Sequence, residues 1–378
     1  MTTWTALLLL AATSQDVDPA RVDKALQDAS AFLLKKYERG FDAQAWNSPL
    51  ELVMLSLSHA GVKPDEPTFQ AGLKALETAP LRYTYRVSVL AMALQRIDAA
   101  KYRDRIAHCA QWLIDTQFAD GDWGYPELLD DPVDVPPSTY DVPAPPAEKK
   151  AAKPGASATS VMLRRRMTLK PTLKGDISNT QFALLGLKAA ADAGIGIPKT
   201  TWESSLKYFL RIQNRDGGWG YHYGPNKDPE SYGSMTSAGV CSVAICRYAL
   251  GLKDPQKDPA VRAGLAWLGR HFSPDANPNA EKSRLIDPAR WHYYYLYSVE
   301  RVGRLLELDQ LGVRPWYAPG AAYLLEKQRP GGGWFTGLDG LWRQAGDLET
   351  SDTCFGILFL TKATPPLVPS VDARKKSD

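Results

Sequence analysis

The chain alternates between two kinds of apolar segment. From Pro19 to Tyr37 the apolar positions Val22, Leu26, Ala29, Phe32 and Leu33 recur at helical spacing, with Asp18 placed to cap the segment and Pro19 in its first turn. That pattern predicts an amphipathic helix. The next segment, Trp46 to Ala60, carries Leu50, Leu52, Val53, Met54, Leu55 and Leu57 nearly all round, as a helix covered on every side would. The alternation then repeats. Amphipathic segments near Pro67 to Ala79, Ala100 to Gln117, Thr200 to Gln213, Asp258 to Phe272 and Pro315 to Gln328 are each followed by a more apolar partner. These partners begin near Tyr83, Ser178, Thr236, Trp291 and Ser351, which predicts six outer and six inner helices. Trp291 to Tyr297 taken alone would suit a strand, but its periodicity continues through Val299, Val302, Leu305 and Leu306, so no sheet is expected.

Three of the joints between outer and inner segments share one pattern, Gln-x-x-x-Gly-x-Trp. It is set by Gln117, Gly121 and Trp123, by Gln213, Gly217 and Trp219, and by Gln328, Gly332 and Trp334. A repeat of this kind marks an array of similar supersecondary units. Glycine permits a tight turn, glutamine can satisfy backbone amides at the next helix start, and tryptophan can pack between repeats, so these residues are assigned to folding. Inner helices that are apolar on all sides need enclosure, and closing the array into a ring supplies it. The expected architecture is an all-α, (α/α)6 toroid over residues 17–364, with a polar tail at 365–378.

One interval between inner helices is longer than the rest, and the excess lies in residues 126–175. Its runs Val135-Pro136-Pro137 and Pro143-Ala144-Pro145-Pro146, with Glu148-Lys149-Lys150 and Arg164-Arg165-Arg166, predict a disordered loop or lid. The basic run Arg164 to Arg166 suits either a solvated surface or an anionic partner.

The totals exclude more than they identify. A formal charge of +3 on 378 residues, not concentrated on one helix, implies neither a nucleic-acid partner nor an anionic membrane. Cys109, Cys241, Cys246 and Cys354 lack Cys-x-x-Cys spacing and suit buried free thiols rather than a disulfide framework. Residues 1–16 carry an apolar run from Trp4 to Ala12 and small residues at Ala12-Thr13-Ser14, the pattern of a secretory signal, so export is expected. No segment is long and apolar enough for an integral membrane span. Neither a phosphate loop, nor His-Glu-x-x-His, nor a Gly-x-Ser-x-Gly elbow is present.

The joint pattern resembles that of the squalene cyclases and related terpenoid cyclases, and the length of the chain is closer to a protein prenyltransferase β subunit. The resemblance runs from Pro19 to Ala363. It implies a toroid around an apolar, aromatic-lined cavity for isoprenoid chains. Where the cyclases carry Asp-x-Asp-Asp followed by Thr as their proton donor, this chain has Asp176-Ile177-Ser178-Asn179-Thr180. Ser178 and Asn179 cannot protonate an alkene; helix capping accounts for the same residues. The zinc positions of the prenyltransferases correspond to Arg290-Trp291-His292 and Asp352-Thr353-Cys354-Phe355, of which only His292 and Asp352 are ligand types, so neither metal nor cofactor is expected.

If all inner helices enter the ring in one direction, their first residues gather at one mouth, where helix dipoles favour an anionic group. Trp46 and Ser234 belong to that mouth. Arg290, His292, Glu349 and Asp352 are the candidate catalytic cluster, with a salt-bridge network as the alternative. Tyr83, Tyr85, Asp176, Asn179, Thr236, Trp291 and Tyr295 are the candidate ligand contacts. Three functions fit: an exported toroid that binds an apolar or isoprenoid-like molecule or a protein partner without cyclase chemistry, an enzyme on terpenoid or lipid substrates using His292 and Asp352, or a non-catalytic interaction scaffold.

Overall fold

A computed structural model describes residues 17–45, 47–125, 161–166, 175–223, 226–227, 230–282, 291–336 and 347–368. Among them are twelve α-helices: α1 (Pro19–Lys36), α2 (Leu50–His59), α3 (Pro67–Thr78), α4 (Thr84–Asp98), α5 (Arg103–Thr116), α6 (Ile177–Asp192), α7 (Lys199–Ile212), α8 (Gly233–Ala249), α9 (Pro259–His271), α10 (His292–Leu305), α11 (Tyr317–Lys327) and α12 (Leu348–Leu360). The alternation of amphipathic and apolar segments therefore marks real helices. Five of the twelve starts carry a side-chain cap, among them Asp18, which accepts from the Ala20 amide at 3.0 Å as the sequence suggests, and Asp258, which accepts from the Ala260 and Val261 amides.

The even-numbered helices form a closed inner ring. Each packs on the next, from α2 through α4, α6, α8 and α10 to α12, and α12 packs back on α2. Enclosure follows from that closure, which is why α6 and α8 are buried almost along their whole length. The first outer helix, α1, packs on α12 and α11, so the two ends of the array meet there. A buried ion pair, Arg86 with both oxygens of Glu51, braces α2 against α4, and Arg86 also donates to the carbonyls of Ala43 and Ala45.

The three joints are built alike. Trp123, Trp219 and Trp334 are fully buried, and their indole N–H groups donate to the carbonyls of Leu113, Phe209 and Leu324 at 2.8–3.0 Å. Their backbone amides donate to the hydroxyls of Thr180, Thr236 and Thr353 at 3.0–3.1 Å, which ties each joint to the first two turns of the inner helix that follows. The glutamines reverse the expected role. Each uses Nε2 to donate to carbonyls: Gln117 to Gly121 and Thr201, Gln213 to Gly217 and Ala260, Gln328 to Gly332 and Ala25. Every glutamine thus holds its own turn and grips the next outer helix around the ring. Gly121 has φ +93°, and a Cβ there would lie 2.2 Å from the carbonyl oxygen of Ser204, so this turn has room only for glycine.

Two expectations need correction. Short strands do occur, each two residues long: β1 (Trp123–Gly124), β2 (Val161–Met162), β3 (Gly175–Asp176), β4 (Ile195–Gly196), β5 (His222–Tyr223), β6 (Asn226–Lys227), β7 (Gln310–Leu311) and β8 (Arg314–Pro315). They are pairings of connecting segments, with β1, β3, β5 and β6 side by side at one mouth, and two residues are too few for an alternating pattern to reveal. Of the 126–175 insertion, residues 161–166 and 175 are described, and 161–166 is an ordered segment anchored through the buried Leu163 and the half-buried Arg165, with Arg164 and Arg166 exposed. Arg166 pairs with Asp115 at 2.8 Å, Arg165 donates to Gln117, and the Arg164 carbonyl accepts from Gln111. Of the basic run, Arg166 thus meets an anion within the chain, while Arg164 keeps a solvated side chain. The four cysteines are free and buried, as their spacing suggested. Residues 1–16 lie outside the described residues. Leu367, at the start of the expected tail, is buried and its amide donates to the Leu305 carbonyl, so the packed chain continues past 364. No described helix is long and apolar enough to cross a membrane.

Candidate functional site

The first turns of the inner helices and the strands beside them form one mouth of the ring. Asp176 caps α6 there and is fully buried. Its Oδ1 accepts from the Ser178 amide, the Ser178 hydroxyl and the Asn179 amide at 2.6–2.9 Å, and its Oδ2 accepts from Asn179 Nδ2 at 2.6 Å. Burial raises the Asp176 carboxyl above its ordinary range, against those donors. Both oxygens are occupied within the turn, so the residue is built as a cap. Ser178 also bonds the Tyr221 hydroxyl.

From this mouth a column of aromatic rings runs along the inside of the ring. Tyr85 lies 6.2 Å from Tyr125 and 4.8 Å from Phe182; Phe182 lies 6.3 Å from Tyr294; Tyr294 lies 5.7 Å from Phe355, which stacks on Tyr297 at 5.7 Å. These separations are those of favourable aromatic pairs. Tyr85 and Tyr221 lie within the ring but are not fully buried. Burial pushes both hydroxyls well above their ordinary range, so neither is an anion near neutrality.

Deeper along the column stands Arg301, with no exposed surface. Its Nη2 donates to Ser298 Oγ at 2.8 Å and to Gln181 Oε1 at 3.2 Å, while Nε and Nη1 are buried without a hydrogen-bond partner. The guanidinium instead lies over the rings of Tyr297 at 4.2 Å, Phe182 at 5.2 Å and Tyr294 at 5.6 Å. Gln181 also accepts from the Tyr294 hydroxyl at 2.9 Å. Glu300, next in sequence, points elsewhere: it accepts from the amide and hydroxyl of Thr364, and burial pushes its carboxyl up to about 7.

The expected catalytic cluster is not one hydrogen-bonded set. His292 Nε2 donates to the Pro274 carbonyl at 3.0 Å, its ring packs 4.7 Å from that of Tyr323, and burial lowers its pKa to about 4. Asp352 accepts from the Thr336 amide at 3.0 Å. Glu349 pairs with Arg329 at 2.9 Å and faces Lys36 at 3.8 Å, so the salt-bridge alternative describes it. Arg290 and Trp46 lie outside the described residues. No group of three or more His, Cys, Asp or Glu suited to a metal ion occurs among the described residues.

The candidate ligand contacts divide. Tyr85 faces the aromatic space and Trp291 stands 6.3 Å from Tyr294 beside it. Asp176 and Asn179 belong to the cap, and Tyr83 is the N-cap residue of α4. Thr236 is occupied by the joint, where it accepts from the Trp219 amide, because the threonine that ends this turn anchors the tryptophan in all three copies. Tyr295 turns away from the axis and packs against Gly233, 6.2 Å from His292. Sequence reasoning missed Gln181, Phe182, Tyr294 and Arg301. The available signal was the charged pair Glu300-Arg301 in the middle of an inner helix otherwise rich in aromatic and aliphatic side chains.

The sequence matches no protein-family profile and no curated protein. Among solved structures, the apo type II terpene cyclase MstE from Scytonema superposes with a TM-score of 0.50 at 12% identity, over 91% of this chain and 99% of that one. A variant of MstE in complex with its substrate geranylgeranyl dihydroxybenzoate gives 0.51 at 13% identity, over 91% and 97%. Another, in complex with the product merosterolic acid A, gives 0.50 at 12%, over 91% and 96%. At these identities the likeness is one of architecture: the chain has the all-α fold of the type II terpene cyclases.

Proposed function

We propose that the chain is an exported protein that binds an apolar, isoprenoid-like molecule in the aromatic space inside its ring, without protonating an alkene. The observation that carries this is the continuous column of aromatic rings inside the closed helix ring, headed by the incompletely buried Tyr85 and Tyr221. Apolar pockets with a few placed polar groups are the usual form of small-molecule sites. A cyclase of the same fold is known with geranylgeranyl dihydroxybenzoate bound, which supports the ligand class. The absence of alkene protonation rests on Ser178 and Asn179 standing where acids are needed, and on Asp176 spending both oxygens on its own turn. Organic extraction of the purified protein followed by mass spectrometry tests the reading. A co-purifying polyprenyl-type molecule near one per chain is expected; no such molecule, together with no uptake of added geranylgeraniol, contradicts it and leaves the scaffold, with a protein partner, as the better account.

An enzymatic alternative keeps one specific support. His292 and Asp352 are both buried beside the same two tyrosines, Tyr293 and Tyr323. On that alternative, His292→Gln and Asp352→Asn each abolish turnover of a bound isoprenoid while leaving its binding intact. Unchanged turnover in both variants removes it. Export is checked by intact mass after expression with the native amino terminus, where cleavage within the first 16 residues is expected.

A further inference from the structure

The ring has a second opening. Where the inner helices end, α2, α4, α6 and α10 together with residues 362–366 wall a cavity of about 410 Å3, within the range of small-molecule pockets. Its lining combines the apolar Leu55, Met92, Leu185 and Tyr297 with the cationic Arg96, Lys188, Arg304 and Lys362. Cations at helix carboxyl ends complement the helix dipole, and that accounts for the exposed Arg96 and Lys362.

Arg304 is different. Its Nε is buried with no hydrogen-bond partner, and one turn earlier on α10 the fully buried Arg301 leaves Nε and Nη1 without partners as well. Arg301 lies on Tyr297, whose ring also lines this cavity. The carboxylate in the lining, Asp192, is bonded by Lys188 at 2.6 Å. His59, lowered to about 3 by burial and by Arg96, is neutral at pH 7. The buried carboxylate near both guanidinium groups, Glu300, spends its oxygens on Thr364 and burial pushes its carboxyl up to about 7, so it offsets their charge only in part, which is costly. An anion supplied from outside would remove that cost, and a guanidinium can take a carboxylate or phosphate in two parallel bonds.

We propose that this cavity is a second binding site beside the aromatic space, with which it shares Tyr297, for an acid with an apolar body. Its anionic head rests on Arg304, since Lys188 is already held by Asp192, and its chain lies along Leu55, Met92 and Leu185. The mixed lining separates this ligand class from a free inorganic anion, which would leave the apolar groups wet, and from a neutral lipid, which would leave Arg304 Nε without an acceptor.

Isothermal titration of the full-length protein at pH 7 with decanoate, decyl phosphate, decanol and inorganic phosphate tests the site. Decanoate or decyl phosphate is expected to bind at one site at least tenfold more tightly than decanol, and the stronger of the two identifies the head group as carboxylate or phosphate. Added salt should narrow the margin over decanol. Arg304→Gln is expected to weaken the better acid about tenfold and leave decanol unchanged, while geranylgeraniol added first leaves acid binding intact. Equal binding of the acids and decanol by the unsubstituted protein overturns the proposal without reference to any variant. So do binding of inorganic phosphate with neither decyl acid, an Arg304→Gln protein that keeps full acid affinity, and competition between geranylgeraniol and the acids.

Discussion

Asp122 occupies the place that Gly218 and Gly333 hold in the other two joints. Its carboxyl is buried, Oδ1 has no hydrogen-bond partner, and burial, with Asp120 and Asp176 nearby, pushes its pKa up to about 7. The folded chain therefore holds this proton more tightly than the unfolded chain, in which the carboxyl titrates near 3.8. For this group stability is complete below pH 3.8 and is lost as pH rises from there to about 7. Asp122→Asn is expected to leave stability at pH 4 nearly unchanged and to raise it at pH 8 by roughly 1–3 kcal/mol, at 1.36 kcal/mol for each unit of pKa difference with allowance for relaxation. Urea unfolding at the two pH values measures this, and an identical pH slope in both proteins contradicts it. His292 acts in the opposite sense. Its pKa, lowered from 6.5 to about 4, makes stability fall as pH drops through that interval, and His292→Gln should flatten the acid limb.

The glutamine of each joint works between elements. Gln328 donates to Ala25 on α1 and so joins the last outer helix to the first, while Gln213 does the same from α7 to Ala260 on α9. Gln328→Ala leaves two buried carbonyls short of a donor and should cost about 1–3 kcal/mol. Hydrogen exchange should quicken in α1 and α11 for that variant, and in α7 and α9 for Gln213→Ala; a uniform change across all helices would mean the glutamines do not act at their own joints. The elements were largely legible because period and joint motif agree: apolar faces predicted the helices, and Gln-x-x-x-Gly-x-Trp located the turns between them. The direction of the glutamine bonds was not legible, since either end of a carboxamide serves a helix start and only the position of Ala25 or Ala260 selects the donor. The cluster of His292 with Glu349 failed for a similar reason. Residues at the starts of adjacent helices share a mouth, but rotation about each helix axis decides which of them meet, and Glu349 turns outward to Arg329.

At the scale of the molecule, closure of α12 on α2 is what gives the chain an inside. That inside is graded, with a capped acid at one mouth, aromatic rings beyond it, a guanidinium held on three ring faces, and a cationic cavity at the other mouth. Arg301 and Phe182 meet across more than a hundred residues of sequence, so their contact depends on the closed ring and on no local pattern. The grading suits a ligand that is mostly hydrocarbon. The most direct measurement is a titration of the full-length protein with geranylgeranyl dihydroxybenzoate followed by tryptophan fluorescence, for which Trp291, half-buried beside Tyr294, is a placed reporter. The account predicts a saturable change with one site per chain that is lost in Tyr85→Glu, whose added carboxylate would stand in the aromatic space. A response that rises linearly without saturation, or one that Tyr85→Glu leaves intact, contradicts it.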